Sequence, residues 1–199
     1  MIILKSGFGE LKIKFKIDIK MKGILDIETG GFSITKNGVC EIALLAVNEK
    51  NEIVDTFHVL IKPYTRESGS DELVSYKDDA MGVNGLTVEQ LIEKGIEVYE
   101  AMMDLKNFIT TYGIETIIGH NSNAFDVPRV EYLLNRFIGF SIINLMKFDT
   151  MLLAKSKLIL PSYKLELLCD YFGILIEDKH TAKGDALATL KLYLELIKN

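Results

Sequence analysis

Two acidic residues interrupt an apolar run near the start of the chain, between Ile24 and Glu28. The run has the composition of a central β-strand, in which residues i and i+2 project from the same face, so Asp26 and Glu28 converge. Adjacent carboxylates repel each other and resist desolvation unless the strand end opens on solvent or a cation holds them. Mg²⁺ takes a few carboxylates together with water and phosphate oxygens. The pair therefore indicates either a solvent-facing strand end or a divalent metal site.

A third acid, Asp126, stands where a predicted strand breaks into a polar loop and then a helix. It comes two residues before Pro128, which is tolerated in a first helical turn. Aspartate at this place is commonly an N-cap. Helix capping alone therefore stays open as an alternative to metal binding.

The last candidates, His180 and Asp185, lie just where the final predicted helix begins. Two helical residues five apart do not share a face, so both can serve one site only if His180 lies in a loop. A histidine there can take a proton from water. An acid in a first helical turn is also a common partner of the helix dipole, and a loop histidine can lack any task, so both alternatives stay open.

The elements that must position these residues follow from hydrophobic periodicity. Strands are predicted over residues 11–22, 23–28, 39–47 and 53–61, and the turn at 48–51 favours an antiparallel meander for the last three. A polar loop over 62–84 follows, and then Thr87 and Gln90 form a capping box.

The second half of the chain is predicted to be mainly helical. Apolar stripes typical of helices are Val98, Met102, Leu105 and Ile109, and then Leu187, Leu190, Leu194 and Ile197. The predicted elements are short strands over 116–119 and 145–148 and helices over 128–136, from 149, over 164–172 and over 182–197. Strands in a meander, followed by strands alternating with helices, predict an α/β fold with a mixed sheet covered by helices.

Length and charge limit the class of protein. With 199 residues and 48% hydrophobic content, one domain with a sizeable core is expected. The 23 basic and 28 acidic residues give a formal charge of -5, the wrong sign for gripping long duplex DNA through counterion release. If nucleic acid is the substrate, its contact with the protein should be short and assisted by metal.

Cysteine usage and hydropathy predict a soluble cytoplasmic protein with no membrane segment. Cys40 and Cys169 lack ligand-like spacing, so free core thiols are expected rather than a disulfide or a zinc site. No run approaches the roughly 18 apolar residues that a bilayer span needs.

Together the candidate residues resemble the DEDDh branch of the DnaQ-like 3′-to-5′ exonucleases, over roughly residues 23–196. The matching motifs are Asp26-Ile27-Glu28-Thr29, then His120-Asn121 through Phe125-Asp126, and then His180 with Asp185. Each motif alone is weak, but three in order at family-like distances are strong. The separate capping and surface alternatives do not predict this order.

The resemblance implies an RNase H-like mixed five-stranded sheet and two divalent cations, Mg²⁺ or Mn²⁺. Asp26 would bridge both cations, Glu28 and Asp185 would complete one site, and Asp126 would serve the other. His180 would be the general base. The implied reaction is hydrolysis at the 3′ end of single-stranded DNA or RNA, with release of nucleoside monophosphates.

The resemblance also implies contacts to the 3′-terminal nucleotide. The candidates are Thr29, Phe32, Leu86 and Phe125. The chain departs from the family pattern at Gly30-Gly31, where Thr-Gly is commoner and the contact could loosen, and at Val127-Pro128-Arg129. Neither departure removes a ligand.

Residues 1–22 are predicted to be an extra N-terminal strand or hairpin, and residues 23–199 the exonuclease domain. The lysines at 12, 14 and 16 would keep an edge strand soluble or would contact the substrate backbone or another subunit. A homodimer stays open. A polymerase partner also stays open but is not indicated, because no tethering segment is evident after Ile197. The alternatives to a stand-alone nuclease are a catalytically silent nucleic-acid-binding module and a proofreading subunit.

Overall fold

A computed structural model describes residues 2–6, 9–13, 21–67 and 69–198. The strands are β1 (Ile2–Ser6), β2 (Gly9–Ile13), β3 (Met21–Thr29), β4 (Val39–Val47), β5 (Ile53–Leu60), β6 (Ile114–Gly119) and β7 (Met146–Asp149). The helices are α1 (Asp78–Asn84), α2 (Val88–Lys94), α3 (Val98–Tyr112), α4 (Asp126–Ile138), α5 (Thr150–Lys157), α6 (Leu165–Phe172) and α7 (Ala182–Lys198).

The main sheet has five strands in the order β5-β4-β3-β6-β7. β3, β4 and β5 form the predicted antiparallel meander, and β6 and β7 continue the sheet in parallel. Every residue of β4 is buried. The strand is covered on both faces, and this is why its sequence is a nearly continuous apolar run. The mixed five-stranded sheet covered by helices confirms the predicted α/β, RNase H-like fold.

Helices cover both faces of this sheet. On one face, Leu25 of β3 joins the large core that includes α3 and α4, and the predicted stripe of α3 is buried there. On the other face, Ile24 packs with Ala186 and Leu190 of α7. Because strand residues alternate between faces, Asp26 and Glu28 share the face of Ile24 and therefore point toward α7.

The predicted polar loop over 62–84 is wrong at its end, where the chain forms helix α1. Asp78 and Asp79 in its first turn favour the positive end of the helix dipole. Gly85 ends the helix with a φ of 68°, a left-handed conformation that glycine adopts without strain, and its N–H donates to Met81 O. Two acids before an apolar turn and a closing glycine are a helix signal that the polar composition hides.

Helix α7 buries two faces instead of the single predicted stripe. Ala186 and Leu190 pack on the sheet, whereas Leu192 and Leu196 join the core formed with α5 and α6. Ile197, predicted at the end of the stripe, is 45% exposed, so the prediction is wrong there. A helix between two partners needs a wider apolar surface than one stripe supplies.

The N-terminal strands form a separate two-stranded sheet. β1 and β2 pair antiparallel, with Ile2 opposite Ile13 and Ser6 opposite Gly9, which confirms the predicted strand or hairpin. Of the predicted strand over 11–22, residues 11–13 lie in β2 and residues 21–22 begin β3. Residues 14–20, and the lysine side chains of this segment, lie outside what the structure describes. The domain boundary at residues 22 and 23 stays a prediction.

Two further features concern the cysteine thiols and the length of the helices. Cys40 and Cys169 are free and buried, as predicted. Within the described ranges, each helix is too short or too polar to cross a bilayer.

Leu105→Ala tests the core between α3 and the sheet. Leu105 is fully buried, and the variant should lose about 3 kcal/mol of unfolding free energy through lost burial and the cavity left behind. Leu152→Ala is the matched control, because Leu152 is 56% exposed and its loss should change stability by less than about 0.5 kcal/mol. Urea unfolding measures both, and equal losses would contradict this assignment of the core.

Candidate active site

Three carboxylates meet beside the carboxyl end of the central strand β3. Asp26, Glu28 and Asp185 each place one oxygen within 4.8 Å of the others. The two strand acids point at α7, and Asp185 lies in the first turn of that helix. The structure therefore brings together three of the four predicted metal ligands in one group.

Asp126 approaches the group from α4. It is 5% exposed, and its Oδ1 accepts the backbone N–H of Ile27 at 3.1 Å, between the two strand acids. The residue at the N-cap of α4 is Phe125, which makes no side-chain cap hydrogen bond. The Asp126 side chain thus joins the helix to β3, which helix capping alone does not explain.

Capping does not explain Asp185 either. The Thr181 hydroxyl accepts the N–H of Gly184 at 3.0 Å and donates to Asp178 O at 2.8 Å. The start of α7 is therefore capped by a neutral residue, and the Asp185 carboxylate is available to the acidic group.

Burial raises the pKa of each acid in the site, and neighbouring negative charges add to the rise. Burial, followed by the charges of Asp126, Asp185 and Glu28, raises the pKa of Asp26 well above its usual range. Burial, followed by neighbouring charges, raises the pKa of Glu28 to about 8. Burial raises the pKa of Asp126 to about 7 and also raises that of Asp185, although hydrogen bonds and the charge of His180 oppose these shifts. Four ionised carboxylates at this spacing require a compensating cation.

The donor set fits hard divalent cations. It consists of carboxylate oxygens with a strong excess of negative charge, and Mg²⁺ and Mn²⁺ favour such ligands over nitrogen and sulfur. Asp26, Glu28 and Asp185 fit one ion. Asp126, which accepts the Ile27 N–H and whose charge acts on Asp26, would be available to a second ion.

His180 lies in a turn before α7, and this position is the one in which His180 and Asp185 can serve the same site. Its φ of 60° is in the left-handed region, which a side chain disfavours. Its Nε2 lies 3.4 Å from Glu166 Oε1, and its side chain is 44% exposed. The imidazole can therefore exchange protons with solvent at the edge of the acidic group.

A cavity of about 330 Å³ opens beside Glu28. Three predicted substrate contacts, Thr29, Phe32 and Phe125, line it, and Lys77 and Val83 from the α1 region form another wall. The fourth, Leu86, lines a different depression along α1 and α2. The substrate roles of all four residues stay predictions.

The Gly30 departure from the family pattern has a steric reason. A β-carbon at Gly30 would lie 2.5 Å from the Tyr76 ring, so a threonine does not fit. The Gly30 N–H donates to Gly38 O at 2.8 Å, and Gly30 O accepts the N–H of Lys77 at 2.9 Å. The backbone beside the cavity is therefore held on both sides.

Sequence reasoning missed two groups that contact or face the site. Asn84, at the end of α1, donates to Thr29 O at 3.4 Å, and its hydrogen bond to Glu28 partly offsets the raised pKa of that acid. Glu41 is opposite Glu28 in β4 and is 4% exposed, and its Oε1 lies 2.5 Å from His58 Nε2. A lone acid within the apolar run over 39–47 is the signal that could have found Glu41.

Asp149 supports the loop that carries the second motif. Its carboxylate accepts the N–H groups of Asn121 and Asn123 and those of the first turn of α5. His120 donates from Nε2 to Tyr163 O at 2.9 Å, and its Nδ1 is hydrogen-bonded to the Thr150 hydroxyl at 2.9 Å. Burial lowers the pKa of the imidazole. These contacts make His120 a structural residue of the site.

Comparison with known proteins agrees with this geometry. A family model described as Exonuclease, RNase_T, matches residues 24–193. DNA polymerase III PolC-type of Caldanaerobacter subterraneus is 25% identical over 88% of this chain, and ribonuclease T of Buchnera aphidicola is 27% identical over 87%. The chain covers 80% of that ribonuclease but only 11% of the length of that polymerase.

The fold is shared with solved structures of Escherichia coli exonuclease I. The complex with a dT13 oligonucleotide has a TM-score of 0.71 and 20% identity, over 90% of this chain and 41% of the other. A zinc-bound complex of the same enzyme with single-stranded DNA has a TM-score of 0.72 and 17% identity, over 91% and 41%. The match over residues 24–193 includes all five residues of the motifs, and this chain belongs to the RNase_T exonuclease family.

Proposed function

We propose that this protein is a divalent-metal-dependent exonuclease that hydrolyses single-stranded nucleic acid from the 3′ end and releases nucleoside monophosphates. The observation that carries the proposal is the convergence of carboxylates from β3 and α7, with a fourth from α4, beside an aromatic-lined cavity. An acidic group of this kind repels phosphate unless cations neutralise it, so substrate binding and metal binding are coupled.

Asp26, Glu28, Asp126 and Asp185 would hold the cations. When bound, two such ions supply an activated water nucleophile and stabilise the departing 3′ oxygen. The chain contributes the rigid placement of the four acids, because two come from one central strand and two from the first turns of helices packed on it. Asn84 and the Ile27 N–H restrain Glu28 and Asp126 by hydrogen bonds.

His180 would take the proton of the attacking water on its imidazole and release it to solvent. Its place in a partly exposed turn before α7 suits this transfer. Glu166, whose Oε1 lies 3.4 Å from Nε2, would help to orient the imidazole.

A single-stranded 3′ end suits the shape and charge of the site. The cavity beside Glu28 is lined by Phe32 and Phe125, and aromatic side chains stack on any base. The formal charge of -5 disfavours extended backbone contact, so the terminal nucleotide would be the main point of recognition. The DNA-bound exonuclease I structures and the ribonuclease T relative support DNA and RNA as the two substrate classes to compare.

The test is digestion of matched, 5′-labelled DNA and RNA oligonucleotides of several lengths with Mg²⁺ or Mn²⁺. A ladder shortened from the 3′ end is expected, and EDTA should abolish it. Binding without any shortening would contradict the proposal and favour a catalytically silent nucleic-acid-binding module.

His180→Ala should slow nucleotide release by on the order of 10²–10⁴-fold, because it removes the general base. Metal-induced thermal stabilisation should be retained, because His180 is not among the proposed ligands. Rates and melting temperatures are measured on the same preparations. An undiminished rate would show that another group accepts the proton.

Proofreading beside a polymerase is a second candidate function. It is favoured by the match to DNA polymerase III PolC-type, which is 25% identical over 88% of this chain. Primer–template duplexes with matched and mismatched 3′ ends are compared with a free single strand of the same sequence. Removal of the mismatched end about as fast as that of the free strand would support proofreading, whereas much faster digestion of the free strand than of either duplex end would favour a nuclease of free single strands.

A further inference from the structure

Arg129, in the first turn of α4, is a buried cation that the proposed chemistry does not use. The residue is 4% exposed. It belongs to the segment Val127-Pro128-Arg129, where the chain departs from its family pattern. Buried arginines are rare unless each donor has a partner, so its contacts indicate what it holds in place.

The guanidinium contacts Phe125 twice. Nη1 donates to Phe125 O at 2.7 Å, and Cζ lies 3.6 Å from the centroid of the Phe125 ring. The two residues are four apart, so Arg129 projects over Phe125 on one side of the helix start. A cation stacked at this distance restrains the ring as well as the carbonyl.

The same guanidinium also reaches the segment after β3. Nη2 donates to the backbone O of Phe32, which is 97 residues away in the sequence. The Phe32 ring is in edge-to-face contact with Phe125, with centroids 6.2 Å apart. Arg129 therefore joins the two chain segments that carry the aromatic wall of the cavity.

The two rings of this aromatic wall differ in burial, because Phe125 packs against the main core whereas Phe32 faces solvent. Phe32 is 78% exposed, although a phenylalanine ring gains free energy from burial. Both rings line the cavity beside Glu28, so a base entering from solvent would meet them next to the carboxylates. Stacking on a base would cover the exposed ring, and such stacking does not depend on base identity.

We propose that Arg129 is a positioning residue that holds Phe32 and Phe125 in the geometry that stacks on the 3′-terminal base, an inference that rests on the proposed function. The planar guanidinium donates in two directions within its plane and stacks through its face. A lysine ammonium reproduces the charge but not this geometry. The segment Val127-Pro128-Arg129 would then support substrate binding by holding the two aromatic side chains in place.

Arg129 has a second neighbour whose influence must be separated from this role. Burial raises the pKa of Asp126, and the charge of Arg129 is among the effects that oppose that rise. A purely electrostatic role at Asp126 would lower the rate of hydrolysis on every substrate. A role through the aromatic pair would weaken binding only of 3′ ends that carry a base.

The experiment compares Arg129→Lys and Arg129→Gln with the wild type on two single-stranded oligonucleotides. One ends in an ordinary nucleotide and the other in an abasic 3′ nucleotide. Arg136→Lys is the matched control, because Arg136 is also on α4 and stacks on a phenylalanine, Phe137, with Cζ 4.5 Å from the ring centroid, but lines a different cavity. Thermal unfolding confirms that each variant is folded.

For Arg129→Lys, KM on the base-bearing end should rise about tenfold, the loss of roughly one base–aromatic stacking interaction. The kcat value should stay within about threefold. On the abasic end KM should change less than about twofold, because this oligonucleotide offers no terminal base for the aromatic rings to stack on, even in the wild type. Arg136→Lys should match the wild type on both.

A second readout uses 2-aminopurine at the 3′ terminus, bound in Mg²⁺ to proteins that also carry His180→Ala, and is recorded before the slowed turnover releases the terminal nucleotide. Its fluorescence should be quenched by stacking with intact Arg129 and recover in the Arg129→Lys protein. If Arg129→Lys does not fold, Arg129→Gln, which keeps a planar amide donor, decides by the same measurements.

Equal KM increases on both ends, a fall in kcat alone, or unchanged quenching would overturn the inference while leaving the exonuclease intact. Failure of the wild type to shorten either oligonucleotide would instead overturn the proposed function. The two failures are therefore distinguishable.

Discussion

Asp26→Asn is expected to reduce nucleotide release by on the order of 10³-fold, the largest loss from any single isosteric change in this protein. Asp26 faces three other acids, Glu28, Asp126 and Asp185, each of which raises its pKa. Its carboxylate is therefore the centre of the acidic group. An asparagine keeps the shape of the side chain but lacks the negative charge that a bound cation would neutralise.

The same substitution should not destabilise the metal-free protein. At pH 8 the wild-type group contains carboxylates that burial and repulsion keep from ionising freely. An amide cannot ionise, so it removes a group whose ionisation is opposed by burial and by neighbouring charges, and the metal-free variant should melt at or above the wild-type temperature. Loss of activity with retained stability would locate the defect in metal binding and not in folding.

Asp104→Asn is the matched control, because Asp104 is exposed on α3 and outside the site. Rates on a single-stranded oligonucleotide and melting temperatures with and without Mg²⁺ are measured for both variants. A control that loses activity, or an Asp26→Asn protein that retains both its rate and its metal response, would contradict the assignment of Asp26.

Metal should stabilise the wild-type protein more at pH 8.5 than at pH 5.5. The folded-state pKa values of Glu28, about 8, and Asp126, about 7, are raised above the unfolded values of roughly 4. The folded state therefore binds more protons across this interval. Stability from these groups is fully present below about pH 4 and is lost as pH rises through the folded pKa values.

Without divalent cations, the melting temperature of the protein should decrease as the pH is raised from 5.5 to 8.5, because these groups then lose their stabilising protons. Cations bind the ionised carboxylates of the folded state and compete with protons. At 100 times the dissociation constant they add about 2.7 kcal/mol, or roughly 5–10 °C for a chain of this length. The increment should shrink toward pH 5.5, where protons occupy the site.

Differential scanning fluorimetry across this pH range, with EDTA or with Mg²⁺ or Mn²⁺ at constant ionic strength, measures the effect. Asp26→Asn should lose most of the increment at pH 8.5. A metal increment independent of pH, or equal in wild type and Asp26→Asn, would contradict a metal site formed by these acids.

Strand and helix periodicity predicted much of the fold because those signals are local. The limits of β4 were predicted from its apolar run and the turn that follows it, and the buried stripe of α3 was predicted from helical spacing. Polar composition hid α1, whose helix signals are two acids and a closing glycine. The wider apolar surface of α7 follows from a second packing partner, which no stripe within the helix reports.

For the site, the sequence by itself determined the five candidate residues and that Asp26 and Glu28 share one face, since alternation along a strand is a property of the backbone. Tertiary structure alone decided which helix that face meets and where Asp126 binds, because its bond to Ile27 spans 99 residues. It also placed Asn84, Glu41 and Arg129 around the acids and the aromatic wall. Such contacts depend on distances between remote segments, which local pattern does not encode.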